Sequence, residues 1–189
     1  MSPSVQAFAG RRHSTLAPIL GLAAIALITA CGGEDPGMQA AAALDACSIL
    51  SVQDVTAVLG VRGFQAEADQ RGDDDFWTSS CRYEGEDADG PIAASLMARP
   101  HHSESGAEQA YADYDNALAS QLGEGVRLSP VEGLGQKAGW QDFGTSVGQL
   151  TVFQGPYQLI ITAPETADHD QLHNCRALAE RALARIPSG

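Results

Sequence analysis

Apolar and polar positions along this chain fall into three regimes. Leu16 to Ala30 is almost wholly apolar, the next dozen residues mix glycine, proline and acids with alanine, and from about residue 45 the apolar positions become periodic. In the periodic part, Val52, Val55, Val58 and Leu59 share a face at helical spacing. Ser51 stands where a side chain caps the helix, Asp54 sits at the third helical position, where an acid suits the dipole, and Gly60 closes the helix. The polar, glycine-containing stretch 61–75 reads as a loop, with room for a short strand near Phe64.

Phe76 to Glu84 then reads as a strand with Trp77, Cys81 and Tyr83 on one face, and Pro91 to Arg99 as a second with Ile92, Ala94, Leu96 and Ala98 alternating. Gly85 to Gly90 is the hairpin-type loop between them, and Pro100-His101-His102 stops the second strand. Ser105 to Leu122 is the clearest helix, with Ala107, Ala110, Tyr111, Tyr114, Ala117, Leu118 and Leu122 at three- and four-residue spacing. Strands are predicted over 136–141, 145–153 and 157–163, the last two turning at Gly155-Pro156. A final helix over 168–186 is capped by Asp168 or a neighbour and buries Leu172, Cys175, Leu178, Ala179, Ala182, Leu183 and Ile186. The order α-β-β-α-β-β-β-α places strands in consecutive runs. It predicts an α+β fold: a mainly antiparallel sheet with helices packed on one face, in two layers.

The apolar run near the start changes the picture from fold to location. Arg11, Arg12 and His13 precede it with no acid, and it falls short of the about 20 residues that span a bilayer. A basic start, a short apolar core and small residues at its end describe an export signal. Its last residues, Ile28-Thr29-Ala30-Cys31, resemble the lipobox of bacterial lipoproteins. That resemblance implies cleavage before Cys31, diacylation of its sulfur, and a mature chain that begins there. Each buried acyl CH₂ contributes about 0.8 kcal/mol, so several chains on one cysteine anchor a protein with no spanning helix. The expected organisation is 1–30 signal peptide, 31–44 lipidated cysteine and solvated tether, and 45–187 one α+β domain. The expected location is the cell envelope, facing the periplasm or the exterior.

Charge narrows the partners. The chain carries −13, and loss of residues 1–30 removes two arginines and no acid, which takes it to −15. Such a surface repels phosphate backbones and anionic head groups, so nucleic acid is excluded and the membrane is met through the anchor at Cys31. Asp73-Asp74-Asp75 and the acids from Glu84 to Asp89 read as solvated loops.

In an exported domain, Cys47, Cys81 and Cys175 allow one disulfide and one leftover thiol. The pairing expected is Cys47–Cys81, tying the start of the domain to its first strong strand, with Cys47–Cys175 as the alternative. Closing a loop of about 35 residues stabilises by roughly 3–4 kcal/mol in the chain-entropy model. Cys175, on the apolar face of the last helix, then behaves as a small buried hydrophobe.

Three further stretches carry a family resemblance. "ACSILSVQDVTAVLG" (Ala46 to Gly60), "CRYEG" (Cys81 to Gly85) and "VEGLGQKAGW" (Val131 to Trp140) together resemble the bacterial lipoproteins of the DUF3558 type, with their lipobox, tether and small α+β domain. The resemblance implies that the first two cysteines are the structural pair. It brings no catalytic residues and leaves Cys175 open. A broader analogy to PsbP/Mog1-type sheet-and-helix folds points to the same architecture.

No convergent catalytic set stands out. His169 and His173, in "HDQLH", are four apart and can share a zinc ion, with Asp170 where the zinc-protease signature has Glu and His101-His102 as a third source of ligands. The plainer reading is two solvated histidines at a helix start. Gly144 to Gly148 has the form G-x-S-x-G but sits between strands rather than at a strand-to-helix turn. Gly133 and Gly135 flank Leu134 before a strand, which favours a turn over a phosphate loop. The aromatics Trp77, Tyr83, Tyr111, Tyr114, Trp140, Phe143 and Tyr157 read first as core, with a helix–sheet groove left as the place for a ligand. The sequence expectation is therefore a non-enzymatic binding domain with no cofactor, whose partner is an envelope protein or a small ligand. The alternative is a metal-dependent hydrolase using His169 and His173.

Overall fold

The computed structural model describes residues 41–72, 77–101, 106–143 and 148–186. The expected signal peptide, Cys31, tether residues 31–40, Asp73 to Asp75, His102 and Gly144 to Val147 lie outside the described residues.

The domain opens with a one-turn helix α1 (Ala46–Ile49), capped by the Asp45 carboxylate on Cys47 N at 3.0 Å. Helix α2 (Val52–Leu59) follows. Ser51 caps it as expected, and Asp54 completes a reciprocal box: Ser51 Oγ accepts from Asp54 N while Asp54 Oδ2 accepts from Ser51 N at 2.9 Å. Stretch 61–75, expected as loop with room for a short strand near Phe64, contains an eight-residue strand β1 (Gln65–Gly72). Every residue of β1 is exposed, so the backbone ladder with its neighbour holds it rather than burial.

Strand β2 (Trp77–Asp87) runs three residues past the expected Glu84 end, and β3 (Gly90–Pro100) begins after a two-residue turn. Asp87 Oδ1 accepts from Asp89 N at 2.8 Å and Gly90 N at 3.0 Å, which closes the hairpin tighter than the predicted loop. Helix α3 (Ala107–Leu122) leads to a two-residue β4 (Ser129–Pro130) and then β5 (Lys137–Asp142), β6 (Gly148–Gln154) and β7 (Tyr157–Thr162). Helix α4 (Gln171–Leu183) is shorter than predicted at both ends, with Asp170 as its cap.

The seven strands form one sheet in the order β1-β2-β3-β7-β6-β5-β4, with every pairing antiparallel. The chain thus has the expected α+β class and antiparallel sheet. The layering differs from the one-face expectation. Alternation along β6 sends Leu150 and Val152 to one face, where they join Leu96, Leu159, Ile161, Cys175 and Leu178 in the main core. It sends Phe153 to the other face, where α3 packs Ala107, Ala110, Tyr111 and Tyr114 around it. Helices α1, α2 and α4 therefore cover one face, and α3 covers part of the other. A period-2 strand buried on both sides has no polar face to signal this.

Gly139 permits the second layer. A Cβ there would lie 2.8 Å from Leu128 and from the Tyr111 ring, so only glycine lets α3 and its following loop approach β5. On the first face, Leu96, Leu150, Leu159, Ile161 and Leu178 have no exposed surface. Each contributes roughly 1.5–3 kcal/mol through burial.

One ion cluster ties the first helices to the last. Asp54, its side chain 7% exposed, accepts from Arg185 at 2.8 and 3.1 Å and lies 3.4 Å from Arg181. Burial acts to raise the carboxyl pKa, but hydrogen bonds from Arg185 and Ser51 outweigh it and hold Asp54 well below the usual carboxylate range. A carboxylate depressed on folding stabilises fully above its unfolded pKa of about 4, and the contribution is lost as pH falls toward the folded value. Asp54→Ala removes the cap acceptor and strands two guanidinium groups, with an expected loss of about 2–4 kcal/mol in urea unfolding at pH 7. The stability gap between wild type and Asp54→Asn narrows between pH 5 and about pH 2; a constant gap sinks the assignment.

Candidate functional site

Three adjacent strands build the site on the α3 face. Register places Arg99 of β3 opposite Gln158 of β7, and Gln158 opposite Phe153 of β6. These residues form one row across the sheet, and the first turns of α3 lie beside it with Ala110, Asp113 and Tyr114. Between helix and sheet is a groove of about 340 Å³ lined by Trp77, Arg99, His101, Tyr114, Phe153 and Gln158 among others.

Hydrogen bonding fixes the polar groups. Arg99 Nε donates to Gln158 Oε1 at 2.8 Å, and its guanidinium carbon sits 5.9 Å from the Tyr114 ring centre. With Oε1 engaged, the amide orientation is set and Nε2 is the other end. Gln158 is 3% exposed, and its Nε2 has no protein partner among the described residues.

His101 continues past β3, its N–H donating to Pro156 O at 2.9 Å. Its Nε2 lies 2.6 Å from Gly155 O. A carbonyl only accepts, so Nε2 carries the proton, and Nδ1 of the neutral ring presents a lone pair. That Nδ1 is buried and without a protein partner among the described residues.

Aromatic rings pack beneath the groove. Phe153 is 1% exposed and is met by His101 at 6.2 Å, and edge-on by Tyr111 at 6.1 Å and Tyr114 at 6.3 Å between ring centres. Gln149 Nε2 donates to Tyr114 Oη at 2.9 Å and steadies that ring. The groove offers a cation, Arg99, beside the partly exposed Tyr114 ring, while Gln158 Nε2 and His101 Nδ1 lie buried beneath its surface. Among the described residues that line it, no hydroxyl or thiol is hydrogen-bonded to His101.

The residues singled out in the sequence fall elsewhere. Cys47 and Cys81 form the disulfide, with Cα atoms 5.1 Å apart, and it ties α1 to β2. Cys175 is the free, fully buried thiol, its Sγ 3.7 Å from Ile161 O, which removes the Cys47–Cys175 alternative. Burial pushes its pKa up to about 12.

His169 and His173 do meet, with ring centres 3.8 Å apart and 17° between planes, on the exposed surface. Only His173 is helical, because Asp170 caps α4 by accepting from His173 N at 2.7 Å. The residue in the position of a catalytic Glu is therefore engaged as a cap. A metal lies in the plane of each imidazole that ligates it, and two nearly parallel, stacked rings do not converge on one such point. His101 is no third ligand. It sits at the start of β7 and His169 lies beyond its end, about 17 Å of strand away. No group of three metal-type ligands occurs among the described residues.

The "VEGLGQKAGW" stretch is a turn, as expected. Leu134 is 3% exposed in the core, Gln136 N bonds Phe153 O, and β5 starts at Lys137. Trp77, Tyr83 and Tyr157 are core, Phe143 is exposed, Tyr111 and Tyr114 pack on Phe153, and Tyr114 also lines the groove. Sequence reading missed Arg99, His101, Phe153 and Gln158 as a set. The available signal was the alternation that puts Arg99 opposite in facing to Ala98.

No protein-family model, curated protein or solved structure matches this chain.

The cysteine assignment has a direct check. Native protein treated with a thiol reagent at pH 8 exposes none of Cys47, Cys81 and Cys175, and unfolding without reductant releases the Cys175 thiol alone. Rapid labelling of Cys175 in the native state contradicts its burial.

Proposed function

We propose that this chain is a lipid-anchored envelope protein whose acidic α+β domain is a non-enzymatic binding module displayed from the membrane. The observation that carries the binding role is the α3 groove, where the half-buried Arg99 guanidinium lines a cavity of about 340 Å³ with no carboxylate at ion-pair distance among the described residues. Clefts with apolar walls and a few fixed polar groups are where small ligands bind. The anchor rests on the lipobox-like Ile28-Thr29-Ala30-Cys31 and the basic, apolar stretch before it. No helix of the described residues is long and apolar enough to cross a membrane.

Two measurements test the two halves of this reading. Radiolabelled palmitate is incorporated into the wild-type chain and not into Cys31→Ser, which leaves the membrane fraction; equal labelling of both removes the anchor. For binding, a photo-crosslinking amino acid is placed in the full lipidated protein at Asp113, on the groove, or at Glu67, on β1. Mass spectrometry after in-cell irradiation finds a recurrent adduct from Asp113 and not from Glu67. Equal background from both positions rules out a groove ligand.

A further inference from the structure

From the charge pattern around Arg99 we infer that the α3 groove takes a small organic carboxylate; this rests on the binding role proposed above. The chain has 24 acids and 11 basic residues, so carboxylates are plentiful. Arg71, Arg82, Arg127, Lys137, Arg176, Arg181 and Arg185 each lie within ion-pair distance of one. Arg62 and Arg99 have none among the described residues. Arg62 is exposed to solvent, whereas Arg99 is half-buried and lines the groove, held by the Gln158 amide through Nε and by the Tyr114 ring face.

That hold leaves the terminal nitrogens of the guanidinium as the unclaimed edge. A guanidinium presents parallel N–H bonds that match the two oxygens of a carboxylate. Gln158, 3% exposed, serves from beneath by fixing the guanidinium through Oε1, and its own Nε2 is buried out of a ligand's reach.

The remaining walls decide the body. Tyr114, partly exposed, is the aromatic wall that a ligand meets, since Phe153 and Trp77 are buried, and a volume of about 340 Å³ lies at the small end of ligand clefts. Asp113 sits on the same groove, its Oδ1 accepting from Gln109 at 2.7 Å, and its charge opposes a second anionic group. A monocarboxylate therefore fits better than a dicarboxylate or a phosphate. The acidic surface repels anions generally, so affinity for one has to come from Arg99 itself.

The test uses the full-length protein in lipid nanodiscs and a matched pair of probes, phenylacetate and phenylacetamide. They share shape and differ in charge. Arginine side-chain Nε signals are followed by NMR, with Arg99 assigned by its loss in Arg99→Gln, and affinities are measured by calorimetry. Phenylacetate is expected to shift the Arg99 signal and bind at least about tenfold tighter than the amide. The preference vanishes in Arg99→Gln and grows in Asp113→Asn. Equal binding of the two probes in wild type overturns the carboxylate assignment and leaves the groove as a binding site. Absence of any response at Arg99 to either probe, together with no groove adduct in the crosslinking experiment, overturns both. The probe comparison needs no variant, so a folding defect in Arg99→Gln does not blunt it.

Discussion

Six residue pairs between β3 and β7 join the two parts of this domain. Strands β1, β2 and β3 form one meander and β4 to β7 a second, and no other strand pairing links them. Everything of functional interest depends on that seam. It sets Leu96 against Ile161 and Ala98 against Leu159 on the face that α4 covers. On the opposite face the same register sets Arg99 against Gln158, where the amide can hold the guanidinium. A shift of one residue would send Arg99 into the core and Leu96 into solvent, so burial of the apolar face fixes the geometry of the polar one.

The seam also explains what was legible in the sequence. Strands β2 and β3 alternate cleanly because one face is buried and the other half open, and both were readable from Trp77 to Ala98. Strand β1 was not, because Gln65–Gly72 offers only alanines and polar residues and is exposed throughout. Its strand state comes from pairing with β2, a partner about a dozen residues away in sequence and invisible to local pattern. Helix α3 was legible as a helix but not in its placement. Periodicity says which side of a helix is apolar, and nothing in it says which face of a sheet receives that side. The deciding residue was Phe153, whose burial opposite Val152 reveals a second packed layer. Arg99 and Gln158 are 59 residues apart, and their meeting is a consequence of strand order alone.

The first helices hold a different lesson about charge. Asp54 closes its own helix, through Ser51, and a tertiary junction, through Arg185 and Arg181. One carboxylate with several donors tolerates burial because each donor offsets part of the desolvation cost. The disulfide from Cys47 to Cys81 pins the same segment to β2. Between these two ties the start of the domain is fixed against both the sheet and the last helix, independently of the α3 layer. Changes in the groove therefore need not disturb the main core.

That separation bears on why the groove exists. Buried donors and acceptors left without partners cost about 1–3 kcal/mol each, and apolar replacements of similar shape remove the cost. A leucine at 158 would pack beside Phe153 and forgo the open Nε2, and an apolar residue at 101 would forgo the open Nδ1. The chain keeps both polar atoms, and beside them the half-buried guanidinium of Arg99, in a protein rich in carboxylates that could have neutralised it. Stability of the fold does not require this arrangement, since the main core and its two ties lie on the other face. Of these groups only the Arg99 guanidinium is half-exposed, so a ligand gains affinity by reproducing at that edge the hydrogen bonds that solvent offers it. A molecule carrying two carboxylate oxygens for Arg99 meets that condition; a purely apolar one strips the guanidinium and binds worse.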